Sequence, residues 1–173
     1  MQATHHLVLM GVAGCGKSSL GEALAAAIGL PLIEGDAFHP QPNVDRMRAG
    51  IALTDADRSG WLAMLGDELA RRPQGAVLTC SALKRAYRDQ LRAAAPGLRF
   101  VFLDISRAEA LMRVAQRGEA HLFPVSLVDS QFATLESPLG EAGVLRVDAT
   151  RPMGDLVAET QAWLNDESEE ASA

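Results

Sequence analysis

Apolar and polar positions follow two different periods along this chain. Leu7-Val8-Leu9-Met10, Ala76-Val77-Leu78 and Phe100-Val101-Phe102-Leu103 run without a polar alternate, as strands covered on both faces do. Between such runs the apolar residues recur at helical spacing. Trp61, Leu62, Leu65 and Leu69 fall on one face of a segment that Thr54 or Asp55 can cap and that Pro73 and Gly75 break. The pattern predicts strands at about 5–10, 31–33, 76–80, 99–103 and 144–147. Helices are predicted at about 17–28, 44–49, 55–72, 84–95, 106–117, 125–135 and 152–164. Gly29 followed by Pro31 closes the first helix, Ser106-x-x-Glu109 opens the fifth as a capping box, and the acidic end from Asn165 is expected to fray. Strands alternating with helices imply an α/β fold, a parallel five-stranded sheet between two helical layers. Right-handed crossovers then collect the loops after the strands along one edge.

The first of those loops carries the strongest signal. Gly11-Val12-Ala13-Gly14-Cys15-Gly16-Lys17-Ser18 matches G-x-x-x-x-G-K-[ST], the P-loop pattern, and lies between a predicted strand and a predicted helix. Its glycines let backbone N–H groups turn inward around phosphates, and the following helix N-terminus, through Ser19, adds donors and partial positive charge. Lys17 is expected to reach the β- and γ-phosphates and Ser18 to ligate Mg²⁺, so the chain is read as binding ATP.

Composition narrows the setting. At 173 residues the chain is expected to be one domain, residues 1–165, followed by an acidic tail, 166–173. No apolar run approaches the roughly 20 residues of a membrane span, and the start does not resemble a signal peptide. Two cysteines make no disulfide framework, which points to the cytoplasm. A net charge of −6 argues against a nucleic-acid surface but not against a small anion. Lys17 and Lys84 are the only lysines, and both fall in predicted active-edge loops.

A phosphoryl acceptor needs a hydroxyl aimed at the γ-phosphate, cationic groups and often a carboxylate. Asp36, after the second strand, is the leading carboxylate, with an Asx turn as its plainer role. Asp104 mimics a Walker B aspartate, although its place just before a helix cap favours a structural role. Arg58 has the chemistry to hold a carboxylate, with Asp57 as a cap or as its orienting partner. Ser81 ends the third strand, and Lys84 and Arg88, four apart, are expected on one helix face. Arg113 and Arg117 have the same spacing before a Gly-containing loop and suit a mobile lid. His39 and His121 lie in loops, and no zinc-type spacing of His and Cys is present. Cys15 is read as a small P-loop residue, and the two tryptophans as packing.

These blocks together resemble the thermoresistant, P-loop type of gluconate kinase. The resemblance covers about Leu7 to Leu164 and is carried by GVAGCGKS from Gly11, GDAFHP from Gly35 and ALTDADRSGWL from Ala52. It continues through CSALKRAYRDQLR from Cys80, HLF from His121 and SQFATLESP from Ser130. It implies an adenylate/shikimate kinase-like arrangement with a helical lid at about 113–137. The implied reaction is transfer of the ATP γ-phosphate to the 6-hydroxyl of D-gluconate, giving 6-phospho-D-gluconate and ADP with Mg²⁺. Carried over, Lys17, Asp36 and Arg117 act in transfer, and residues 11–19 with Arg113 and Arg117 hold ATP. Asp36, His39, Arg58, Ser81, Lys84, Arg88 and His121 line the sugar-acid pocket, and homodimers are common in that family. Two departures stand out: Gly60 replaces the usual proline before Trp61, and the Arg117-to-His121 spacing is longer than in relatives.

A shikimate kinase is the nearest alternative, but Glu34-Gly35-Asp36 replaces its D-x-D and no glycine triplet follows the third strand. A nucleoside monophosphate kinase lacks support in any D-G-[FY]-P-R segment. A nucleotide-dependent regulatory protein is the reading from another class, and intact Lys17, Ser18 and Asp36 speak against it.

Overall fold

The computed structural model describes residues 4–117 and 124–172. Five parallel strands form one sheet in the order β2-β3-β1-β4-β5. They are β1 (His5–Met10), β2 (Leu32–Glu34), β3 (Gly75–Thr79), β4 (Arg99–Asp104) and β5 (Val144–Asp148). The central strands are the least exposed: β3 is buried throughout, as are Leu7 to Met10 of β1. This is the burial that non-alternating apolar runs require.

The helices are α1 (Lys17–Ile28), α2 (Gln41–Arg48), α3 (Asp55–Ala70), α4 (Arg85–Ala94), α5 (Arg107–Arg117), α6 (Val128–Thr134) and α7 (Met153–Ser172). Short 3₁₀ turns occupy Gly35–Phe38 and Val125–Leu127. Helix α1 packs against α7 and α3 against α4, so the sheet is enclosed in the three-layer manner expected. Gly21 lets α1 settle closely, since a Cβ there would lie 3.0 Å from both Leu32 and Thr79 side-chain carbons.

Several boundaries differ from the expected ones for local reasons. Helix α2 begins earlier, because Pro40 precedes it and the Pro40 carbonyl accepts from Asn43 and Val44 N–H. Lys84 is the residue before α4, with extended dihedrals of −103° and 150°, and not its first helical residue. Gly60 lies inside α3, on its exposed side, where no turn exists for a proline to tighten. Helix α7 continues to Ser172, because the Asn165–Ser172 stretch contains no Gly or Pro to stop it. The expected capping of α3 is present in full: Asp57 N–H donates to Thr54 Oγ1 at 3.1 Å, and Thr54 N–H to Asp57 Oδ2 at 2.9 Å.

The strand order reverses beside β1, between it and β3. There Gly11 N–H donates to Ser81 O at 3.3 Å, tying the two strand-end loops together. A crevice opens at this switch point, where α/β sheets take their ligands.

Candidate active site

The phosphate loop is folded ready for an anion. Gly11 has φ +148° and a Cβ there would meet Cys15 Sγ at 2.7 Å, while Gly16, capping α1, has φ +98°. The Lys17 ammonium curls back over the loop and donates to Gly11 O at 3.0 Å and Val12 O at 3.2 Å. The loop's outer rim is held by Arg113, whose Nη1 donates to Gly14 O and Cys15 O at 3.3 and 3.4 Å and whose Nη2 donates to Ala149 O. Arg113 does not line the cavity, whereas Arg117 does. From the opposite side Gln131 Oε1 accepts from Ala13 N–H at 2.7 Å. Because that donor demands an oxygen, the amide's NH₂ is left on the free side, among the cavity residues.

Behind the loop stands an acid absent from the sequence-based site. Glu34 Oε2 accepts from Ser18 Oγ at 3.1 Å and from Thr79 Oγ1 at 2.7 Å, and Thr79 Oγ1 accepts in turn from Gly35 N–H. With its hydrogen directed at Glu34, the Ser18 hydroxyl keeps lone pairs for a cation. Hydroxyl and carboxylate oxygens beside a phosphate cradle suit Mg²⁺, which takes few protein ligands and keeps waters and phosphate oxygens for the rest. No group of three or more His, Cys, Asp or Glu forms a cation cage among the described residues.

Asp36 follows on the 3₁₀ turn, lines the cavity and keeps its side chain 77% exposed, 3.8 Å from His39 Nε2. The turn is fastened by Trp61, whose Nε1 donates to Gly35 O at 2.8 Å. At Gly35 a Cβ would fall 2.1 Å from Thr79 O, so strand end and turn are in direct backbone contact. His39 stacks on Trp61 and meets Asn43 Nδ2 through Nδ1 at 3.4 Å. Asn43 Nδ2 also donates to Asp57 O, which identifies it as the amide nitrogen, so the neutral His39 ring carries its proton on Nε2, toward Asp36. Burial lowers the His39 pKa, Asp36 works against that shift and Arg58 adds to it.

Arg58 and Ser81 both line the cavity. Lys84 and Arg88, expected beside them, are not among the lining residues and do not share a face. Lys84 donates to Asp55 Oδ1 at 3.0 Å, and that bond raises its pKa. Arg88 is fully buried. Its guanidinium donates to Glu141 at 2.6 Å and to the carbonyls of Ala82, Leu83 and Glu136, so it braces the loop after β3 against the segment before β5. Burial opposes the Glu141 charge, but Arg88 and Arg92 hold its carboxyl below the usual range. Asp104 takes the structural role, accepting from Arg146 Nε at 2.7 Å. His121 lies outside the described residues.

Met47, Leu53 and Leu127 form a small apolar floor, joining α2, the loop after it and the base of α6. Their spacing along the chain is too scattered to signal this. For Glu34 a signal exists, an acid two residues before Asp36 at the end of the same strand.

The chain matches the family model described as AAA domain over residues 7–138. A gluconokinase of Gluconobacter oxydans (strain 621H) is 48% identical over 84% of this chain and 83% of the relative. The thermoresistant gluconokinase of Escherichia coli (strain K12) is 38% identical over 90% of this chain and 91% of the relative. The crystal structure of a gluconokinase from Sinorhizobium meliloti 1021 superposes with a TM-score of 0.88 at 48% identity, covering 97% of this chain and 95% of that one.

Proposed function

The chain belongs to the gluconokinase family of P-loop kinases, and on that premise we propose how its site transfers phosphate from ATP to D-gluconate. It is an enzyme, and the reaction is phosphorylation of gluconate, at the 6-hydroxyl in our reading, giving 6-phospho-D-gluconate and ADP. The observation that carries the proposal is one cavity bordered by Lys17, Ser18, Asp36, Arg58 and Arg117.

In this reading the loop from Gly11 to Ser19 cradles the triphosphate with inward N–H groups, and Lys17 leaves its carbonyl contacts to meet the β- and γ-phosphates. Ser18, backed by Glu34, would hold Mg²⁺, which would supply neutralising charge to the triphosphate. Asp36 orients the acceptor hydroxyl and takes its proton. The His39 Nε2–H donates to the sugar, and Arg58 receives the carboxylate end as a planar, charged fork. We read the lid at about 113–137, of which residues 118–123 lie outside the described ones: Arg117 faces the transferring phosphate, while Arg113 stiffens the loop from outside. Lid closure keeps water from competing for the phosphoryl group.

No helix among the described residues is long and apolar enough to cross a membrane. Both cysteines are free and buried, and burial pushes the Cys80 thiol up to about 12, which fits an inert core role and the reducing cytoplasm we propose. The shikimate kinase alternative is not favoured, since the relatives matched over most of the chain are gluconokinases.

The direct test couples the reaction to 6-phosphogluconate dehydrogenase and reads NADPH. Production that requires ATP, D-gluconate and enzyme together is expected. Release of ADP with shikimate, and no NADPH with gluconate, would sink the reading.

A further inference from the structure

The arginine that faces the substrate cavity is held from behind. Arg58 is 8% exposed, and its Nη1 donates to the Tyr87 hydroxyl at 3.1 Å. Tyr87, on the first turn of α4 and 6% exposed, gives its own proton to the Asp55 carboxylate. Lys84 donates to the same carboxylate at 3.0 and 3.3 Å. A phenol has one proton to give, so once it serves Asp55 the oxygen can only accept from Arg58. The direction of the chain is thereby set, from Arg58 through Tyr87 to Asp55, with Lys84 balancing the acid. The remaining Arg58 N–H groups meet no acceptor among the described residues, and the side chain borders the cavity. The Arg58 guanidinium carbon also lies 5.5 Å from the centre of the Tyr87 ring, so its plane is constrained as well as one of its edges.

We propose that Tyr87 is a positioning residue that presets the Arg58 guanidinium, and that this pairing gives the enzyme its preference for a sugar acid over the neutral polyol of the same length. The proposal rests on the reading of Arg58 as the partner of the substrate carboxylate. An arginine has several rotatable bonds, and ordering them on binding weakens affinity. A guanidinium already fixed at Nη1 presents its other N–H groups as a ready fork for a planar carboxylate. A neutral terminal CH₂OH gains little from that fork. Asp55 contributes less than Tyr87, because its side chain is 67% exposed and its charge is screened by water.

The test compares wild type, Tyr87→Phe, Asp55→Asn and Arg58→Ala with D-gluconate and with D-glucitol, the uncharged polyol. Tyr87→Phe keeps the ring and its packing while removing the hydroxyl. It is expected to raise the gluconate KM about tenfold, the scale of one hydrogen bond to a charged group. Its kcat should stay within a few-fold of wild type, and its ATP KM and melting temperature near theirs. Its preference for gluconate over glucitol in kcat/KM should fall by the same factor, and Asp55→Asn should fall less. Wild-type gluconate KM and preference in Tyr87→Phe, with both lost in Arg58→Ala, would overturn the positioning role and leave the reading of Arg58 standing. Equal damage to the ATP and gluconate KM values would also overturn it, by making Tyr87 a general packing residue. Retention of the preference by Arg58→Ala would remove the reading of Arg58 and the proposal together.

Discussion

The imidazole of His39 lies against the indole of Trp61, with ring centres 4.0 Å apart and planes 18° from parallel. One tryptophan thus serves two site elements, the stacked His39 and, through its N–H to Gly35 O, the turn that carries Asp36. Burial between these groups is also what disfavours the charged imidazole.

A pH dependence of stability follows. The folded pKa of His39 lies below its ordinary value of 6.5. Between those two values the unfolded chain binds a proton that the folded chain refuses, so stability rises with pH through that window and falls as pH drops below about 6.5. His5, also lowered by burial and then by Arg99, acts in the same direction. His39→Gln should therefore flatten the urea midpoint between pH 5 and 7, though only in part. Parallel profiles for the two proteins would show that His39 does not couple folding to protons.

Asp36, the base in the proposed mechanism, presents an exposed carboxylate at the cavity with the His39 ring beside it. Asp36→Asn keeps the shape and should lower kcat by about 10²–10⁴, the usual worth of a positioned general base, while calorimetric ATP affinity stays within a few-fold. Near-normal turnover would take Asp36 out of the mechanism.

Glu34 makes a different prediction, about the cation. Glu34→Gln retains an acceptor for Ser18 and Thr79 but loses the charge behind the Ser18 hydroxyl, the proposed Mg²⁺ ligand. The Mg²⁺ concentration giving half-maximal rate should rise roughly 10- to 100-fold, in line with other groups that orient a metal ligand, while the gluconate KM stays nearly constant. An unchanged Mg²⁺ titration would limit Glu34 to bracing the strand end.

Arg88 should report on folding more than on substrate. Arg88→Met removes a fully buried guanidinium and leaves Glu141 with Arg92 alone. Breaking a buried pair costs about 3–5 kcal/mol. At roughly 2–4 °C per kcal/mol for a domain of this size, the melting temperature should fall by about 10 °C. The gluconate KM of the folded fraction should change little. A large rise in KM without loss of stability would return Arg88 to the substrate pocket.

These residues also mark what the sequence could and could not carry. The phosphate cradle was legible because its donors lie within eight consecutive positions whose geometry the glycines dictate. The sheet was legible because its strands are apolar runs divided by amphipathic helices. Arg88 was misleading, since helical spacing from Lys84 implies a shared face only if Lys84 is helical, and it is not. The acid that draws Arg88 inward, Glu141, is 53 positions away. Gln131 was silent for the same reason, reaching Ala13 across 118 positions. Local chemistry can be read along the chain, while a side chain's choice between solvent and a distant partner is made only in three dimensions.

Gly35, wedged against the Thr79 carbonyl between Glu34 and Asp36, has a consequence for how this site can vary over time. Replacing either acid beside it alters the chemistry of one side chain and leaves the backbone path of the turn in place. The spacer between them has no such latitude, as even a methyl group would drive the turn off the sheet edge. Substitution across these three positions should therefore be graded at the ends and all-or-none in the middle.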